Sequence, residues 1–178
     1  MNDTTQDASK AEGRCADGLL REPDLVSMRS SSCVIRPATV ADVDAMFNIR
    51  TSVRENALTV EELAQIGVTP ETIASAIGDA PCAWVAEVQG EAVGFAMVDL
   101  ETACLFAAFV LPEHEGQGIG RRLIQVCEEA LFERHAVAWL ETASSSRAAG
   151  VYRALGWGAE RDVGDGDVRL EKRRDGKT

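Results

Sequence analysis

The stretch LFAAFVLPEHEGQGIGRRLIQVCEEALF (Leu105–Phe132) constrains the fold more than any other part of this 178-residue chain. A nearly all-apolar run, Ala103–Leu111, reads as a central strand covered on both faces. It stops at Pro112, passes Glu113, His114 and Glu115, and reaches three alternating glycines, Gly116, Gly118 and Gly120. Helical spacing then runs from about Ile119 to Glu133. A helix N-terminus leaves its first N–H groups unpaired and carries partial positive charge. Glycines leading into it let those amides converge on one anion with no Cβ in the way. The handover is a candidate phosphate cradle, with a plain tight turn as the alternative.

Two well-known cradles fit poorly. A Walker loop needs Gly-Lys-Ser/Thr, which is absent. A dinucleotide fingerprint needs GxGxxG, but counting from Gly116 ends on Arg121 and counting from Gly118 ends on Leu123. Glu141, at the end of the next strand, mimics the ribose-binding acid of that fold, yet no strand–helix–strand unit opens the chain.

The remaining elements are read from local signals. Residues 1–32 are polar, mixed in charge and without periodicity, so they are expected to form a disordered extension. Order begins at a short strand, Cys33–Ala38. Thr39 can cap a helix whose apolar stripe uses Val40, Val43, Met46, Phe47 and Ile49 or Arg50. Thr59 with Glu62 has capping-box spacing for a second helix ending at Gly67. Thr69 and Pro70 open a third, with Gly78 after its end. Cys82–Val88 and Ala92–Leu100 flank a tight turn and suggest a hairpin. After the glycine segment come a strand (Val137–Thr142), a helix from about Ser146 to Gly156, and two short strands around GDGD. Residues 174–178 form a polar tail. This order suits a mixed sheet flanked by helices rather than a doubly wound fold.

Composition excludes some functions. With 18 basic against 29 acidic residues the formal charge is −11, which repels phosphate backbones and anionic membranes, so neither nucleic acid nor membrane is an expected partner. No apolar run approaches the roughly 18–20 residues of a membrane span, and no signal-peptide pattern opens the chain; a soluble, cytoplasmic protein is expected. Cys15, Cys33, Cys82, Cys104 and Cys127 show no CxxC, and His114 and His135 cannot complete a zinc set, so reduced thiols and no metal are expected.

The segment VLPEHEGQGIGRRLI resembles the coenzyme A loop of the GNAT superfamily of N-acetyltransferases. That pattern is Arg/Gln-x-x-Gly-x-Gly/Ala after a Val-x-Pro; it falls here on Glu115–Gly120, with Glu115 where Arg or Gln is usual. The superfamily's second motif, Asn-x-x-Ala-x-x-aliphatic-Tyr followed by Gly-aromatic, falls on Ser145, Ala148, Val151, Tyr152, Gly156 and Trp157, with Ser145 replacing Asn. The resemblance spans about Val34 to Arg173. It implies an α/β fold, with a mixed, mostly antiparallel sheet of about seven strands whose fourth and fifth splay apart. It implies acetyl-CoA as cofactor, its pantetheine bonded to the backbone near Phe109, Val110 and Leu111 and its pyrophosphate on Gly116, Gln117, Gly118, Ile119, Gly120 and Arg121, with Ser145 nearby.

The implied reaction is attack of a bound amine on the thioester, an oxyanion held by strand-end amides, and Tyr152 protonating the departing thiolate. Unperturbed tyrosine and thiol pKa values differ by only about 1.5 units, so that transfer is expected to be nearly isoenergetic. The acceptor is an amine of a small molecule, peptide or protein. A homodimer is a common arrangement in such proteins. Glu55, in the polar Arg54–Glu55–Asn56 cluster, is the expected base, with Glu141 and Thr142 of the fifth strand as the other candidates, of which only one can face the site. Glu55, Asn56 and Thr142 are the expected acceptor contacts. A coenzyme-binding sensor without transfer activity is the alternative function, and a Rossmann-like nucleotide binder a third.

Overall fold

The computed structural model describes residues 32–174. Apart from residues 32 and 174, the expected extension and tail lie outside the described residues, as does Cys15. The elements are β1 (Val34–Pro37), a 3-10 turn (Val40–Asp42), α1 (Val43–Ser52), α2 (Val60–Gln65), α3 (Pro70–Asp79), β2 (Ala83–Val88), β3 (Glu91–Asp99) and β4 (Cys104–Val110). A second 3-10 turn (Pro112–His114) leads to α4 (Ile119–Arg134), β5 (Val137–Ala143), α5 (Arg147–Ala154), β6 (Gly158–Gly164) and β7 (Asp167–Arg173). They build one seven-stranded sheet in the order β1-β2-β3-β4-β5-β7-β6. Every neighbouring pair is antiparallel except β4 and β5, which are parallel. That topology excludes the doubly wound, Rossmann-like architecture.

Local chemistry explains most element boundaries. In the capping box of α2, Glu62 N–H donates to Thr59 Oγ1 at 3.1 Å and Thr59 N–H donates to Glu62 Oε2 at 2.8 Å. Thr69 caps α3 and Pro70 opens it, but the helix runs through Gly78 to Asp79 rather than stopping before the glycine. The hairpin turn is the pair Gln89–Gly90, both with positive φ, and Glu91 already belongs to β3. Thr39 precedes a 3-10 turn rather than α1 itself. There the Asp42 carboxylate accepts from the Thr39 amide at 2.7 Å and from its hydroxyl at 2.9 Å. Val40 is consequently 54% exposed, and the buried stripe of α1 is Val43, Met46, Ile49 and Arg50.

Helices cover both faces. A Cβ on Gly94 would meet Leu123 of α4, so its strand neighbours Phe95 and Met97 point to the opposite face, where they share a cavity with Met46 of α1. Cys82, Cys104 and Cys127 are buried free thiols and Cys33 is half-buried. Burial pushes the Cys104 thiol up to about 12. No helix among the described residues is long and apolar enough to cross a membrane.

One ion cluster ties β1 to the start of α1. Arg36 donates to both oxygens of Asp42, at 2.7 and 2.8 Å, and to Glu87 of β2 at 2.7 Å. Arg36 first, and then the Thr39 donors, hold the Asp42 carboxyl well below its ordinary 3.8. A carboxyl depressed on folding stabilises fully above its unfolded value and loses that contribution as pH falls toward the folded one. Asp42→Asn should therefore cost about 2 kcal/mol near neutrality. Chemical denaturation of the two proteins should show the gap closing as pH drops below the ordinary carboxylate range.

Candidate functional site

The site is organised by the parting of β4 and β5. Their only registered pair is Cys104 with Trp139, where Trp139 N–H donates to Ala103 C=O at 3.0 Å. Beyond it β4 stays on β3 and β5 stays on β7. The expectation that β4 is covered on both faces is corrected: Phe106, left without a partner on β3 where the register shifts between Met97 and Val98, is 52% exposed, and the strand's far half is only partly buried. Leu111 N–H donates to Val93 C=O at 2.8 Å, and Phe109 pairs with Phe95. By antiparallel alternation, Phe109 and Leu111 direct their backbone groups to β3, while Ala108 and Val110 direct theirs into the gap.

The glycine segment lies at the end of that strand. α2, α3 and α5 begin under side-chain caps, from Thr59, Thr69 and Ser146. α4 begins at Gly118, left-handed at φ +79°, with no side-chain cap. Arg122 N–H donates to Gly118 C=O at 3.2 Å. The amides from Gly116 to Arg121 have no hydrogen-bond partner among the described residues. Gly116, at φ +74°, and Gly118 have no atom within 4 Å of a built Cβ, so the segment is open as well as donor-rich. Ile119 is buried and anchors the helix. The Gln117 side chain folds back toward the Glu113 carbonyl at 3.4 Å. Arg122 donates to the Cys33 carbonyl at 2.8 Å, whereas Arg121 is exposed and unpaired among the described residues.

Arg147 joins three segments across the mouth of the gap. Its guanidinium pairs with Glu115, which neutralises a carboxylate next in sequence to the free amides. Its amide donates to Glu55 Oε2 at 3.2 Å, so Glu55 caps the start of α5 from the α1–α2 loop. Ser146, not Ser145, is the side-chain cap, accepting from Ala149 N–H at 3.0 Å. Ser145 sits exposed in the preceding turn. Thr142 faces the same turn, 3.2 Å from the Ser146 hydroxyl, while Glu141 on the other side of β5 is held by Arg169 at 2.8 Å.

Tyr152 is 7% exposed, its ring set edge-on to Trp157 with 6.1 Å between centroids. Trp157 is fixed in turn by Glu128 of α4, whose carboxylate accepts from the indole N–H and from Lys172, both at 2.7 Å. Burial first, then the neighbouring Cys127 and Cys104, push the phenol above its ordinary pKa. The expected near-equality of phenol and thiol is therefore corrected: Tyr152 keeps its proton more firmly than a free tyrosine does, and donates it less readily.

Sequence reasoning missed Arg50. It lies on the buried stripe of α1, stacks on Phe109 at 4.5 Å, and donates to the Asn56 carbonyl at 2.9 Å. Asn56 adopts φ +54° to aim that carbonyl. Both residues line a cavity of about 220 Å³ between the helices and β3–β4. An arginine in phase with an apolar stripe was the available signal.

Comparison with known proteins agrees with this architecture. Residues 43–157 match the model of the acetyltransferase (GNAT) family. Among solved structures, the PaiA N-acetyltransferase of Thermoplasma acidophilum in complex with coenzyme A is 14% identical; the match covers 80% of this chain and 99% of that one, with a TM-score of 0.64. The Brucella melitensis ribosomal-protein-alanine N-acetyltransferase is 24% identical over 79% and 99%, with a TM-score of 0.61. The yncA protein of Salmonella typhimurium with its cofactor acetyl-CoA is 20% identical over 83% and 97%, with a TM-score of 0.63. No curated protein sequence matches the chain.

Because Tyr152 is the chain's one tyrosine, its ionisation can be followed without a probe. Ultraviolet titration should show no phenolate near pH 10, where a free tyrosine is about half ionised. The absorbance should rise only at more alkaline pH, together with loss of folded structure.

Proposed function

From the chain's membership of the acetyltransferase (GNAT) family, we propose that it transfers acetyl from acetyl-CoA to an amine, by direct attack of the amine while both are bound. The observation that carries this reading is the row of unpartnered amides from Gly116 to Arg121 at the open end of the β4–β5 gap. Such a row suits a diphosphate, and the open Cβ positions of Gly116 and Gly118 leave room for it. The gap-facing backbone of Ala108 and Val110 suits an amide-bearing arm, which can pair as an extra strand does. Acetyl-CoA, when bound, supplies an activated thioester.

The chain's own residues take the remaining roles in this proposal. Arg121, unpaired beside the amides, adds charge for phosphate. Arg147 neutralises Glu115 so that the cradle is not repulsive. Tyr152, protonated through the working pH range, donates a hydrogen bond or its proton to the departing sulfur. Glu55 is the proposed base: one carboxylate oxygen caps α5, and Oε1 makes no hydrogen bond among the described residues. Asn56 and Thr142 contribute acceptor contacts, and Ser145 borders the coenzyme.

Thiol release from acetyl-CoA in the presence of an amine panel tests the reading. Turnover is expected with at least one amine, and Tyr152→Phe should slow it about 100-fold with coenzyme affinity kept within about twofold. Coenzyme binding with no turnover on any amine would favour the sensor function instead. Glu55→Gln keeps an acceptor for the Arg147 amide but removes the base. The acidic limb of the pH–rate profile should then disappear, and an unaltered limb removes Glu55 from the mechanism.

A further inference from the structure

Arg50 is a buried cation with no carboxylate partner among the described residues. It is 9% exposed, and burial is the sole influence on its pKa, which it lowers. Its contacts are the face of Phe109 and one hydrogen bond from Nη1 to the Asn56 carbonyl. A guanidinium carries five donors, and the other nitrogens of Arg50 make no hydrogen bond among the described residues, yet neither is fully shut off from solvent. The nearest acid along the loop, Glu55, is turned to the start of α5.

The cavity around this cation is lined, apart from Asn56, by apolar side chains, among them Met46, Phe47, Leu63, Ile73 and Phe109. At about 220 Å³ it holds well over ten times the roughly 10–15 Å³ that one water needs. It also reaches Phe106, at the register shift of β4, the strand that borders the gap where the thioester would lie. A buried charge is tolerated when it is paired, and a planar guanidinium matches a carboxylate through two parallel hydrogen bonds.

We infer that this cavity is the acceptor pocket and that Arg50 selects an amine carrying a carboxylate on an apolar frame, as in a free apolar α-amino acid. The inference rests on the acetyl-transfer reading for its amine. The carboxylate and the apolar side chain are read from the cavity alone. In this arrangement Arg50 takes the carboxylate, the helix side chains enclose the apolar portion, and the amine is left toward the β4 edge.

The test compares leucine, methionine and phenylalanine with their amides, both as acetyl acceptors and as ligands in calorimetry with coenzyme A present. At least one acid should exceed its amide by tenfold or more in kcat/KM and in affinity. Arg50→Gln should remove that preference through KM, with coenzyme affinity unchanged, and Arg50→Lys should retain part of it. Equal use of acid and amide, or a preference for the amide, overturns the inference. So does coenzyme binding with neither acid nor amide bound, which leaves the acetyl-transfer reading standing. Failure to bind coenzyme A overturns that reading instead, and acid-over-amide binding in calorimetry without coenzyme still decides the role of Arg50. If Arg50→Gln does not fold, the acid–amide comparison in the unaltered protein decides.

Discussion

Everything at the site depends on β4 and β5 parting after one registered pair. A sheet interior ordinarily leaves almost no backbone group unpaired. Here β5 turns away to run along β7 while β4 stays on β3, and each half is satisfied by its own partner. The parting leaves backbone groups unpaired on the gap side of Ala108 and Val110, close in sequence to the free amides that lead into α4. α4 packs across β2, β3, β4 and β5 and so joins the two halves that the parting separates. A sheet zipped through β4 and β5 would close the gap and leave the free amides facing only solvent.

Two features keep that opening in shape. Gly94 lets β3 pass close beneath Phe109, Val110 and Leu123, where a Cβ would come within 3.0 Å of the Phe109 carbonyl. The second is the buried cluster of Glu128, Trp157 and Lys172. Lys172 also donates to the Leu155 carbonyl at 2.7 Å, which fixes the end of α5 to β7 and α4 together. Truncating one member of such a cluster leaves buried polar groups unpaired, which costs far more than the net value of the bonds. Tyr152 inherits its position from this frame through its edge contact with Trp157.

Features that depend on a few adjacent residues were legible in the sequence. The boxes at Thr59 and Thr69, the hairpin, the glycine turn and the helix after it needed only local spacing. Where competing local signals met, boundaries slipped: Asp42 drew Thr39 into a 3-10 turn, and α3 absorbed Gly78. The relations that make the site were not local. Arg147 and Glu115 stand 32 positions apart, and Arg147 and Glu55 stand 92 apart. Phe106 is exposed at the register shift between β3 and β4, which the apolar run of β4 does not encode. Ser145 and Ser146 are chemically equivalent in sequence, and only the backbone geometry of the turn selects the second as cap.

The two arginines beside the gap illustrate how context decides what a charge does. Arg147 is exposed, with 59% of its side chain accessible, so its pair with Glu115 adds little stability. Its consequence is electrostatic: it cancels a carboxylate placed beside a turn of unpartnered amides, in a chain that is acidic overall. Under the proposed reading the turn can tolerate Glu115, because main-chain amides rather than that side chain would form the cradle. Arg50 is the opposite case. Taking its charge out of water is costly without a counter-ion, and the Phe109 face with one carbonyl offsets only part of that cost. The carbonyl itself is available only because Asn56 accepts a left-handed backbone, an arrangement that favours asparagine over most residues. A cation retained at such expense, beside a cavity large enough for a ligand, has the electrostatic character of a half-built ion pair.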